Sequence, residues 1–394
     1  MDRRTFLAAT AAATIGTRSL ASEESAGPRL RVGVIGHTGR GNFGHGLDTV
    51  WLNAPNTEIV GVADADPDGL AAAIKRLRLT AGHLDYREML DEIRPEIVAV
   101  CPRHPDQHRD MMLAAIAAGA EAIYVEKPFC RTPAEADEII AAAAGRTKIA
   151  VAHRNRYHPV LPTIQRLIAA GAIGKPLEIR GRGKGDRRGG CEDLWVLGSH
   201  VLNLVHYFGG APKSCSAVIR QDGRPVTADD VRDGNEGLGP VAGNQLHARY
   251  ELADGLIAYF DSIADDGTGG QAFGLQIIGS EGVIDCKCDR FPLAHLRAGN
   301  PFDVSRDPHR WVPITSAGVG LPEPNEDLAK TLSGHLIPVA DLIDAVANDR
   351  EPLCGAEESA LTVEMICATF ASHAATGRSV EFPLRSRENE LANL

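Results

Sequence analysis

The sequence predicts an α/β plus α+β protein, a doubly wound parallel sheet followed by a second domain built on an open, mainly antiparallel sheet. Three observations predict it. At 394 residues the chain exceeds what one core usually serves. Short apolar runs alternate with helical patterns as far as residue 152. Beyond that point strand-like runs follow one another with only turn residues between them.

The first strands are Arg31–Gly36 and Glu58–Asp64, with a glycine-rich turn and a helix expected between them. Glu96–Val100, Glu121–Val125 and Lys148–Ala152 continue the series, alternating with helices such as Asp106–Ala118 and Pro133–Ala144. Pro159–Ala170 reads as an amphipathic helix. Strands are then expected at Leu177–Arg182, Ser216–Arg220, Gln245–Glu251, Leu256–Ser262 and Leu275–Ile284. Asp222–Gly243 and Asp289–Asn325, polar and rich in Gly and Pro, read as long loops, and helices at Leu336–Ala347 and Ala356–Ala374 close the chain. The domains expected are 29–152 and 153–394.

The first 21 residues stand apart. Asp2-Arg3-Arg4-Thr5-Phe6-Leu7 is a twin-arginine signature, followed by a weakly apolar stretch and a small-residue cleavage site ending at Ala21. That predicts a periplasmic or otherwise exported protein, folded and loaded with any cofactor before it crosses the membrane. No run is long and charge-free enough to span a bilayer, which takes about 20 residues. The net charge of −11 argues against nucleic acid as partner. The eight cysteines lack the spacing of a disulfide framework or zinc site and read as packing thiols. No metal site is expected.

Gly36-His37-Thr38-Gly39-Arg40-Gly41-Asn42-Phe43-Gly44 follows the first strand. Glycines there allow a tight turn and the approach of a dinucleotide pyrophosphate to a helix N-terminus. Their spacing from Gly36 is irregular, and the G-x-G-x-x-G register appears only at Gly39, Gly41 and Gly44. Asp64, ending the second strand, would bind the adenosine ribose hydroxyls and repel a 2′-phosphate, which favours NAD over NADP. It would otherwise cap the Asp66-Pro67 turn.

Glu126-Lys127-Pro128 after a strand, with Pro102 and His108 near an earlier strand end, resembles the Gfo/Idh/MocA oxidoreductases. Arg154, Arg156-Tyr157-His158-Pro159, Gly171–Pro176, Gly198-Ser199-His200 and Ala374–Arg378 extend the resemblance from about residue 30 to 384. It implies an N-terminal Rossmann domain holding NAD at Gly36, Thr38, Gly39, Gly41, Asp64, Pro102, His108 and Glu126. It also implies an open sheet that often serves homo-oligomerisation, as a dimer or tetramer. By the same resemblance Lys127 sits between nicotinamide and substrate and stabilises the reacting oxygen, and His200 accepts the proton. Arg154, Arg156, Tyr157 and Asn203 would contact a small carbohydrate.

The chain departs from the pattern twice. Val196 replaces an aspartate four residues before the histidine, and Asn203 replaces a following one. Glu192 or Asp193 would substitute, or the proton relay is altered. Arg182, Lys184, Arg187 and Arg188 would favour an anionic sugar unless they belong to a solvated loop, and Trp195 would stack on substrate or pack. The leading reading is a sugar or polyol dehydrogenase with a tightly held, internally recycled NAD. The alternatives are a redox-neutral NAD-dependent glycosidase and a non-catalytic sugar-binding protein.

Overall fold

The computed structural model describes residues 29–304 and 309–394. The expected leader at 1–21 lies outside them. Five parallel strands form the first sheet: β1 (Leu30–Ile35), β2 (Thr57–Ala63), β3 (Ile97–Val100), β4 (Ala122–Val125) and β5 (Lys148–Val151), in the order β2-β1-β3-β4-β5. Every residue of β3, β4 and β5 is buried, as strands covered on both faces require. The covering helices begin where the sequence supplies caps. Asp66 accepts from Gly69 N–H with Pro67 opening α1 (Pro67–Leu77), and Thr132 accepts from Glu135 N–H with Pro133 opening the helix Pro133–Ala143.

The helix expected after the glycine-rich turn does not form. Residues 37–49 run as successive turns ending in one 3-10 turn, Val50–Leu52. Gly39, Gly41, Asn42, Gly44 and Gly46 all have positive φ, which a right-handed helix does not admit. The segment is anchored by burial of Leu47, Val50 and Trp51, with Trp51 edge-on to Tyr124 at 6.4 Å.

The second sheet is mixed and eleven-stranded. Its central strand Pro176–Arg182 pairs parallel with Ile257–Ile263 and antiparallel with Gly274–Gly279. The expected strand Leu275–Ile284 is a hairpin of two, Gly274–Gly279 and Gly282–Lys287. The segment 289–325, expected to be a loop, adds Ala294–Ala298, Val312–Thr315 and Gly318–Val319 to the sheet edge. Their strand character was hidden by prolines and glycines, which an edge tolerates.

Sequence position and packing diverge in one helix. Leu336–Ala347 follows the second sheet in sequence, but its Val339 and Leu342 join the core made by Val32, Val34, Ala122 and Tyr124 of the first. The expected division at residue 152 therefore separates the sheets and not the cores.

Candidate active site

The glycine-rich turn is shaped by close approach. A Cβ on Gly41 would lie 2.3 Å from the Arg103 nitrogen, and one on Gly44 would lie 2.5 Å from the Cys101 carbonyl oxygen and 2.7 Å from Glu126 Oε2. All three distances are shorter than any real contact, so the turn seats itself against the end of β3 and on Glu126 only without side chains. Gly39 differs: a Cβ there would meet nothing within 4 Å, so this part of the turn faces open space. Beside it lies a cavity of about 390 Å³ lined by Gly36, His37, Arg40, Asp64, Leu84 and Gln107. That volume suits part of a small-molecule ligand.

Asp64 borders this cavity, but its carboxylate is committed to the turn. It accepts from Thr38 N–H at 3.0 Å, Thr38 Oγ1 at 2.6 Å and Asp66 N–H at 3.0 Å, and the residue is 1% exposed. A ribose would reach only what these bonds leave free. Thr38 is thereby a partner of Asp64 before it is a partner of any ligand.

A second cavity gathers the chemistry. His45, Glu126, Lys127, Arg154, Leu197, His200, Asp289 and His335 line it. Lys127 leaves the end of β4 and is buried, and its Nζ donates to the Val196 carbonyl at 2.9 Å. Burial pushes the ammonium pKa down, while Glu126, Glu236 and Asp289 pull it back up. Glu126 is held by His45, whose Nδ1 is 3.0 Å from Oε2, and by the Lys127 N–H at 3.1 Å. Burial pushes that carboxyl up, but His45 and Lys127 outweigh it and hold it at about 2.

His200 opens the helix Ser199–Gly209, behind a π-helical turn at Leu194–Gly198 of the kind common at functional sites. It is 4% exposed, its Nδ1 has no hydrogen-bond partner, and the His153 ring stands edge-on to it at 5.2 Å. Burial lowers its pKa to about 3 against the pull of Asp289. Arg154 donates from Nε to Asp289 at 3.0 Å. His335 donates or accepts at Tyr124 OH through Nδ1, 2.7 Å, leaving Nε2 buried and unpartnered.

Several residues expected to contact a ligand have partners within the protein. His108 is fully buried between the Pro102 carbonyl, 2.6 Å from Nε2, and the Pro128 carbonyl, 2.9 Å from Nδ1. It joins the loop after β3 to the Lys127-Pro128 loop. Pro102 contributes its carbonyl to the same tie. Tyr157 OH donates to the Val151 carbonyl at 3.3 Å and is buried with Leu332 and Cys354. Arg156 pairs with Glu358 at 2.9 Å and lies over the Tyr207 ring at 4.2 Å. Asn203 is fully buried and donates from Nδ2 to Thr362 Oγ1 at 3.1 Å, facing the helix Ala356–Ala374.

The acids near Val196 do not serve His200. Glu192 accepts from Arg232 and Asn235, and Asp193 from Ser262 Oγ and the Lys184 N–H. In the basic loop Arg188 pairs with Asp186 at 2.5 Å and Arg182 with Asp266 at 3.7 Å. Trp195 is fully buried against Phe370 and packs. Sequence reasoning missed His45, His153, Asp289 and His335; only Asp289 carried a trace, at the end of an apolar alternation.

A parallel sheet whose strand ends carry a glycine turn, an open ligand cavity and a buried lysine–histidine cavity defines a dinucleotide-dependent oxidoreductase. Residues 30–153 match the model of the GFO_IDH_MocA oxidoreductase family, NAD-binding Rossmann fold. That match makes residues 30–153 similar to the family's NAD-binding domain, and the chain is an NAD-binding oxidoreductase. It is 24% identical over 395 residues to D-apiose dehydrogenase of Paraburkholderia graminis, covering 96% of each chain. It is 27% identical over 260 residues to inositol 2-dehydrogenase of Rubrobacter xylanophilus, covering 65% of this chain and 71% of that one. The fold is similar to that of levoglucosan dehydrogenase solved with NADH and levoglucosan, with TM-score 0.67, 21% identity, and coverage of 90% of this chain and 99% of that one.

The residues present fit NAD. The open face at Gly39 and the cavity beside Asp64 would take the dinucleotide, and Glu126 with His45 would meet its nicotinamide end.

Proposed function

We propose that the protein oxidises a secondary alcohol of a sugar, polyol or sugar acid, with NAD as hydride acceptor. The observation that carries this is the meeting of Lys127 and His200 in one buried cavity at the strand end beside the glycine turn. When bound, NAD supplies the acceptor for the hydride leaving the alcohol carbon. The rest is the work of this chain. Lys127, kept charged by Glu126 and anchored to Val196, presents its remaining donors to the alcohol oxygen and stabilises negative charge as it develops there. His200, neutral at ordinary pH, accepts the hydroxyl proton. Arg154 donates to neighbouring hydroxyls, and burial keeps bulk water from the reacting carbon. The names of the similar dehydrogenases, which cite apiose, inositol and levoglucosan, support the substrate class.

The test is label transfer. A polyol deuterated at the reacting carbon should deliver deuterium to the nicotinamide; absence of transfer from pentoses, hexoses, inositols, anhydrosugars and sugar acids refutes the reading.

The reading extends to export by the twin-arginine route with NAD aboard, and to the second sheet as a self-assembly face forming a dimer or tetramer. Supporting export, all eight cysteines are buried and free, as in a chain that folds under reducing conditions first. Replacing Arg3 and Arg4 together by lysine should then retain the protein in the cytoplasm. Unfolding the exported protein should release nicotinamide nucleotide in near-equal proportion to chain, and dialysis should not.

A further inference from the structure

Val196 stands where an aspartate would be expected to serve the histidine, and the nearby acids Glu192 and Asp193 are bound elsewhere. The cavity nevertheless contains a second carboxylate besides Glu126. Asp289 enters it from the loop after the strand Gly282–Lys287, with φ at 56°. Three bonds fix it: Arg154 Nε donates to Oδ1 at 3.0 Å, Asn155 Nδ2 donates to Oδ1 at 3.2 Å, and its own N–H donates to Asn155 Oδ1 at 3.1 Å. Across the same cavity His200 carries an unpartnered Nδ1.

We propose that Asp289 is the positioning carboxylate of His200, so that the acid of the proton relay has moved from the histidine's own helix to a loop of the second sheet. The proposal rests on the dehydrogenase reading above. As the alcohol C–H electron pair leaves as hydride to NAD, the O–H bond breaks, its proton passes to the His200 imidazole, and the carbonyl forms. Asp289 stabilises the imidazolium left behind. The charges facing His200 are Asp289 and Glu126, which favour its protonation, and Lys127 and Arg154, which oppose it, with the neutral His153 ring alongside. Asp289 is the foremost of the two favourable charges. His200, Arg154 and Asn155 together hold its own carboxyl at about 2 despite burial. Arg154, bonded to Asp289, thereby also fixes where the carboxylate sits.

Asparagine tolerates left-handed backbone, so Asp289→Asn removes the charge and spares the fold. In NAD-loaded protein labelled with 13C-histidine, the His200 resonance, assigned by its loss in His200→Gln, should titrate about one unit lower in Asp289→Asn than in the unmutated protein. An unchanged midpoint overturns the proposal; if neither form titrates before acid unfolds the protein, the kinetic readouts decide it. Steady-state kinetics should show kcat lowered roughly 10- to 100-fold with KM little changed. Formate should partly restore kcat in Asp289→Ala. A raised KM with unchanged kcat and no response to formate would make Asp289 a hydroxyl anchor and overturn its role toward His200. If the unmutated protein transfers no label from any polyol, the dehydrogenase reading fails, while the histidine titration still decides the place of Asp289.

Discussion

Lys127→Met should separate stability from activity. Lysine at this position is buried, and its ammonium makes one protein hydrogen bond, to the Val196 carbonyl at 2.9 Å. Methionine is close in volume and flexible, so it fills the same channel. Losing the bond leaves a buried carbonyl unpaired, at about 1–3 kcal/mol. Against that, the folded protein no longer desolvates a charge, a cost already visible in the lowered lysine pKa. The two effects oppose each other, and net stability should move by less than about 2 kcal/mol. Activity has no such compensation, because methionine offers no donor to the oxygen that becomes negative. Loss of one positioned group costs roughly 10²- to 10⁴-fold, equivalent to about 2.7–5.4 kcal/mol of barrier. Single-turnover reduction of bound NAD at saturating polyol measures the rate, and urea unfolding of the NAD-loaded protein measures the stability. A rate within tenfold of the unmutated enzyme would refute the role of Lys127, as would a collapse of stability large enough to explain the lost rate.

Three further outcomes are expected. Gly44→Ala forces a Cβ onto the Cys101 carbonyl and Glu126 Oε2 at a φ of 61°, so NAD affinity, measured by calorimetry, should fall at least tenfold; unchanged affinity would show that the turn does not hold the cofactor. Asp64→Ala unties Thr38 and should weaken NAD binding and narrow the preference over NADP; if the unmutated protein binds both equally, Asp64 does not select. Histidines 200 and 206 are held at about 3 by burial, and histidines 158 and 335 at about 4. A histidine whose folded pKa lies below its unfolded value of about 6.5 contributes full stability above that pH and loses it as pH falls toward the folded pKa. Each should cost roughly 1 kcal/mol by pH 5.5, so urea midpoints should decline between pH 7 and 5, where Glu126 and Asp289 stay ionised; a flat profile would refute the burial argument.

The sequence by itself determined the elements that repeat a period or follow a strand. The buried runs of β3, β4 and β5 and the helices Leu336–Ala347 and Ala356–Ala374 all stand where periodicity puts them. Glu126 and Lys127 were singled out through the resemblance of Glu126-Lys127-Pro128, and a parallel strand delivers such last residues to one edge of the sheet. The direction of side chains in turns was decided only by the tertiary structure. Nothing local says that Asn203 faces Thr362, that His108 bridges two carbonyls, or that five positive-φ residues replace a helix by turns. The cavity itself joins His45 from the glycine turn, His200 from a helix behind a π-helical turn, Asp289 from the second sheet, and His335 from the start of a helix that returns to the first. These residues are far apart in the chain, and no pattern in the sequence carries their distances. Their meeting is imposed by the burial of helices against two different sheets, which is a property of the whole chain's packing and not of any segment's period.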